Sequence, residues 1–132
     1  AGTALAYALA GSGAAALTIH NRTRSKAETL VKGVSAAFPR CEVRLGTKDA
    51  SGFDVVVNAT SLGLEPDDPH SFDLASADPD ALVAEVVMKP EVTPLLTAAR
   101  ARGHRIHSGI HMLNGQLALM MEFFGLGEAP RA

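Results

Sequence analysis

Short apolar runs and stretches of helical period alternate along most of this chain. Gly2 opens an apolar stretch of small residues, 3–10, with helical character, and Gly11 and Gly13 stand where it would end. The run Ala14-Ala15-Ala16-Leu17-Thr18-Ile19 then reads as a buried strand. Over residues 25–38 the apolar positions Ala27, Leu30, Val31, Val34 and Phe38 fall on one helical stripe, with Pro39 just beyond. Residues 41–45 alternate as a short strand. The β-branched run 53–58 has the character of a strand buried in a parallel sheet, and it ends in polar Asn58-Ala59-Thr60-Ser61. A loop rich in Pro, Asp and Ser spans 65–80, and 81–87 makes another buried strand. A helix at 93–102 that Gly103 ends, a short strand at 104–107 and a helix at 112–124 complete the pattern. Strands alternating with helices predict an α/β chain built on a parallel sheet of the doubly wound type.

The carboxyl ends of such strands are where ligands bind, so the residues just after each strand carry the chemistry. After the strand that ends at Ile19 comes Asn21-Arg22-Thr23-Arg24-Ser25-Lys26. In a dinucleotide-binding βαβ unit this position meets the adenine ribose. An acidic residue there would bind the 2′-hydroxyl and repel a phosphate, whereas Asn and Arg with nearby Lys suit a 2′-phosphate. The run therefore reads as an NADP site, the alternative being a solvated basic helix start. Gly2 matches the last glycine of a G-x-G-x-x-G loop, and the strand and two glycines that would precede it are not in this sequence. The expectation is a Rossmann-type doubly wound sheet lacking its first strand, within a longer polypeptide.

Composition narrows the remaining choices. The 132 residues suffice for one cored domain, and Ala-rich content with 5% aromatics suits tightly packed helices on a sheet. A net charge of -2 gives no reason to expect nucleic acid or an anionic membrane as partner. Cys41 is the single cysteine, so within the chain neither a disulfide nor a cysteine metal site can form; it reads as a small hydrophobe at a strand start. No apolar run is long enough to span a bilayer and no signal peptide is visible, which leads to a cytoplasmic expectation. His104, His107 and His111 lie close in sequence, but Ser108-Gly109 argues against an i, i+4 pair on one helix, and no metal is expected.

Four strings occur in order: Asn21-Arg22-Thr23, Asn58-Ala59-Thr60-Ser61-Leu62-Gly63-Leu64, Thr93-Pro94-Leu95-Leu96 and Gly109-Ile110-His111-Met112-Leu113-Asn114-Gly115-Gln116. Together they resemble the C-terminal half of the shikimate dehydrogenases. The resemblance implies an NADP-dependent oxidoreductase that interconverts 3-dehydroshikimate and shikimate on the chorismate route to aromatic amino acids. It implies that Asn21, Arg22, Thr23 and Lys26 clamp the 2′-phosphate and that Asn58, Ala59, Thr60 and Ser61 run along the cofactor. Val86 and Gly109 would lie beside the nicotinamide, Met112 would pack on its ring, and Gln116, one helical turn on, would reach substrate hydroxyls. An amide on the inner side of an apolar helix would otherwise need a buried partner.

The same resemblance assigns the proton-transferring Lys and Asp to an N-terminal substrate domain, so this chain holds none of the catalytic groups. A homodimer stays open. The chain departs from the family at Glu85-Val86-Val87-Met88, where Asp-x-x-Tyr is usual, and Met88 would replace a phenol at the substrate mouth. A paralogue acting on quinate or another substrate, or a nucleotide-binding homologue without shikimate turnover, therefore stands as the alternative.

Overall fold

An alanine-rich helix packs closely only where small side chains meet their neighbours, and the first element does so. In the computed structural model, which describes residues 1–126, α1 (Gly2–Gly11) buries Ala6 and Ala10, four apart on one face. Gly13, at φ +95°, turns the chain toward β1 (Ala16–Ile19). α2 (Arg24–Ala37) then crosses to β2 (Glu42–Leu45), which pairs parallel to β1 with Ala16 opposite Glu42 and Ile19 opposite Leu45. Ala6, Ala10, Val34 and Cys41 form the buried core here, with Leu17, Leu30, Phe38 and Val43 against it. Cys41 is the small buried hydrophobe that the pattern predicts.

The chain divides into two compact units, Ala1–Asp49 and Ala50–Ala132. In the second, β3 (Val55–Asn58), β4 (Leu82–Glu85) and β5 (Arg105–His107) lie in that order, all parallel. α3 (Pro94–Ala101) links β4 to β5, and α4 (Ile110–Phe123) follows. Leu95, Leu96 and Ala99 of α3 pack with Val83, Ala50, Phe72 and Leu74 in a single core. Thr93 caps α3, its hydroxyl accepting from the Leu96 N–H at 3.3 Å, with Pro94 following at the first helical position. Thr93→Ala is expected to cost about 1 kcal/mol or somewhat more, seen as a lower denaturant midpoint with an unchanged slope.

The parallel α/β class stands as the pattern predicts, and among the described residues no ladder joins β1 and β2 to the three-stranded sheet. Element ends move by one or two residues, as they do wherever terminal turns fray: the last helix starts at Ile110 and the third strand at Val55. Two expectations need correction. The run 53–58 predicts a buried strand, yet Val55 is 45% exposed, β3 being an edge of its sheet among the described residues. The segment 65–80 is more than a surface loop. Its 3-10 turn (Leu74–Ser76), capped by Asp73, carries buried Leu74, and Phe72 beside it is also buried. Among the described residues no helix is long and apolar enough to cross a membrane.

Candidate functional site

Beyond β1 the chain turns sharply before α2 begins. Asn21 makes the turn: its Oδ1 accepts the Thr23 N–H at 2.8 Å. Thr23 is the N-cap of α2 but makes no side-chain capping bond, so the positive end of the helix stays open to an anion. Of the nearby cations, Arg24 is engaged by Glu28 at 2.9 Å. Arg22 and Lys26 are exposed and, among the described residues, without an ion pair. Lys26 and Ser25 line a cleft of about 530 Å³ with Thr3 and Tyr7 of α1 and Thr29 of α2. Thr3 follows Gly2 in the first turn of α1. An exposed guanidinium, an ammonium and an open helix N-terminus are the donor set that a phosphate monoester fits.

The second unit is organised around a buried amide. Asn58 ends β3 opposite Glu85 of β4 and is 1% exposed. Its Nδ2 donates to the Leu62 carbonyl at 2.7 Å and to Glu85 Oε2 at 3.5 Å. Its Oδ1 accepts from Thr60, from the N–H at 3.1 Å and the hydroxyl at 2.7 Å. Thr60 Oγ1 in turn accepts the Leu62 N–H at 3.1 Å. The Asn58 side chain is thus committed to shaping its own turn. The turn presents Thr60 and Ser61, both exposed, and half-buried Ala59. It closes at Gly63, which has φ +105° and donates its N–H to Asp68 Oδ2 at 2.9 Å.

Glu85, which was not among the expected site residues, is the acidic group at the centre of this network. It is 3% exposed, and its Oε1 has no hydrogen-bond partner among the described residues. Burial pushes its pKa up, opposed by hydrogen bonds from the Thr93 hydroxyl and the Asn58 amide. The sequence did hold a signal: a lone acid inside the apolar run Leu82-Val83-Ala84-Glu85-Val86-Val87.

Gly109 caps α4 against the backbone just after β4. A Cβ there would lie 2.5 Å from the Val86 carbonyl carbon and oxygen, and would also collide with the Val87 carbonyl oxygen. Met112 and Gln116 follow on α4, both exposed, and Met88 is exposed too. Gln116 lies on the exposed surface of α4, which has no buried residue. Contrary to the sequence expectation, His107 and His111 lie close together. The rings of His107 and His111 stack with centroids 4.6 Å apart, because the Ser108-Gly109 corner folds the end of β5 onto the first turn of α4. His104 is buried with Nδ1 3.2 Å from the Ala81 carbonyl oxygen, a structural role. Among the described residues, no three His, Cys, Asp or Glu side chains are grouped to hold a metal.

Parallel strands, crossover helices and polar turns at the strand ends define a Rossmann-type α/β protein. No family model matches the chain. The shikimate dehydrogenase (NADP(+)) of Rhodospirillum rubrum is 36% identical over 118 residues, 86% of this chain and 41% of that protein. The ligand-free 5-ketofructose reductase of Gluconobacter sp. strain CHM43 superposes with a TM-score of 0.85 at 32% identity, over 96% of this chain and 48% of the other. The quinate dehydrogenase of Corynebacterium glutamicum in complex with NAD gives 0.84 at 31% identity, over 96% and 47%. The chain is a homologue of the shikimate dehydrogenases and spans less than half the length of the relatives it matches.

Proposed function

We propose that this chain is the NADP-binding part of an oxidoreductase that interconverts 3-dehydroshikimate and shikimate. The observation that carries the reading is the pair of cations, Arg22 and Lys26, without an ion pair among the described residues and beside the open N-terminus of α2. A 2′-phosphate would take their charge, with Asn21 and Thr23 shaping the approach. Bound NADP supplies the hydride chemistry, so the protein's part is binding and orientation. The turn 58–61, shaped by the Thr60 hydroxyl, offers the exposed Ser61 hydroxyl to the dinucleotide, Val86 and Gly109 present backbone at its nicotinamide end, and exposed Met112 offers an apolar surface to that ring. Gln116, on the same side of α4, orients a substrate hydroxyl, and the Lys and Asp that move the proton belong to the rest of the polypeptide. On this reading residues 1–132 alone hold cofactor without turning over substrate.

A titration of the complete protein tests the reading: NADPH is expected to bind more tightly than NADH, and equal affinities would remove it. The fold alone does not choose, since the structurally similar quinate dehydrogenase holds NAD. Exposed Met88, where a phenol is usual, favours a second reading in which the substrate is quinate or another polyol. Gln116→Ala bears on both. It is expected to lower kcat/KM about tenfold, or ~1.4 kcal/mol, for whichever substrate the parent uses, while NADPH affinity stays within twofold. Unchanged kcat/KM would make Gln116 an ordinary surface residue.

A further inference from the structure

We propose that Glu85 is a positioning residue that sets the shape of the turn 58–63 by holding the Asn58 amide. The proposal rests on the assignment of that turn to the cofactor only for its functional consequence, and its geometry stands by itself. Asn58 has four hydrogen-bonding tasks in a space where none can be given to water. Three go to its own turn, through Thr60 and Leu62, and the fourth goes to Glu85 Oε2. That last contact fixes which way the amide faces. Were the amide to rotate, Oδ1 would oppose the Leu62 carbonyl and the Thr60 bonds would be lost together.

The turn is pressed against the same carboxyl from a second direction. Gly63, held at φ +105°, lies so that a Cβ would be 3.9 Å from Glu85 Oε2 and 3.5 Å from Thr93 Cγ2. Thr93 completes the anchor, since its Oγ1 accepts the Leu96 N–H and its hydroxyl hydrogen is free to reach Glu85. The β3 end, the β4 end and the start of α3 therefore meet at one side chain.

Burial disfavours the charged form of this carboxyl and its two hydrogen bonds favour it, burial being the larger effect. The partners are Thr93 and Asn58, neither of them ionised, and the pKa is raised from the ordinary carboxylate value. The titratable groups on the neighbouring elements are Asp68, which takes the Gly63 N–H, and His107 on β5, in register with Ala84. Lys89 and Glu91 between β4 and α3, and His111 on α4, are exposed. None of these is among the interactions that shift Glu85. The neutral acid's contribution is full below the unfolded-state pKa and is lost as pH rises through the raised folded value. The turn should therefore loosen on the alkaline side.

Amide hydrogen exchange on the complete protein without cofactor reads this directly. In Glu85→Ala the Thr60, Leu62 and Gly63 amides are expected to exchange at least tenfold faster than in the parent. Glu85→Gln, which keeps an acceptor for Asn58 and cannot ionise, is expected to match the parent at low pH and to protect these amides better once the pH has risen through the raised Glu85 value. Parent-like exchange in the Ala variant, or identical protection in parent and Gln variant at every pH, would overturn the proposal. Should the Ala variant fail to fold, the parent and Gln comparison decides alone. NADPH titration then separates the two readings. A parent that binds no NADPH ends the cofactor assignment and leaves the exchange result standing. If the parent binds, NADPH affinity is expected to fall about tenfold in the Ala variant and to be restored within twofold in the Gln variant.

Discussion

Gly109→Ala is expected to destabilise the protein by about 3 kcal/mol, lowering its melting temperature by roughly 10 °C. The cause is neither φ nor helix propensity. Gly109 has φ -64°, a value that every residue adopts. What forbids a side chain is the approach of the β4 end, where the added carbon would meet the Val86 carbonyl at 2.5 Å. Those atoms are backbone, and the Val86 N–H is itself bonded to the Asn58 carbonyl at 3.0 Å, so they cannot swing aside as a flexible side chain would. Relief has to come from moving the start of α4 away from the sheet. Met112, whose N–H bonds to the Gly109 carbonyl at 3.1 Å, would shift with it. Gly115→Ala provides the contrast within one helix. Its Cβ would have nothing within 4 Å, so alanine is expected to stabilise α4 by up to about 1 kcal/mol. Thermal unfolding of both variants, followed by circular dichroism, checks the pair. A parent-like melting temperature for Gly109→Ala would mean that α4 does not approach the strand so closely.

Arg22→Asp is expected to weaken NADPH binding by about a hundredfold or more and to leave NADH nearly untouched. Losing one charge-assisted hydrogen bond of this kind costs roughly 1.5 to 3 kcal/mol, and the carboxylate adds repulsion toward a dianionic phosphate. Because Arg22 is exposed and makes no ion pair among the described residues, its removal leaves no orphaned partner. The change should therefore read out in binding and not in stability. Arg24→Asp is the informative comparison, since that guanidinium is already paired with Glu28 and its loss is expected to affect NADPH far less. Affinities for both cofactors, measured by fluorescence titration of each variant, decide the point. Equal losses for NADPH and NADH with Arg22→Asp would assign Arg22 a role unrelated to the 2′-phosphate.

Much about this protein follows from properties that a chain carries locally. Strand and helix periods are set by backbone geometry, so the stripe Ala27, Leu30, Val34 and the β-branched run before Asn58 announce their elements without reference to any partner. The strand-end chemistry is local as well. Asn21, Arg22, Thr23 and Lys26 are neighbours in sequence, and whatever follows a parallel strand lies at its carboxyl end. What only tertiary structure decides are contacts across the strand ladder and the exposure that results. Asn58 and Glu85 are 27 positions apart and meet because register puts Val55 opposite Leu82, a choice that strand propensity does not contain. Phe72 and Leu74 are buried within a loop of polar composition because the space beside Val83 and Leu96 has to be filled. The His107 and His111 rings stack across a corner that sequence spacing alone reads as a break. Gln116 stands in solvent because burial of a helix face depends on what packs against it, and helical period specifies only which residues share that face.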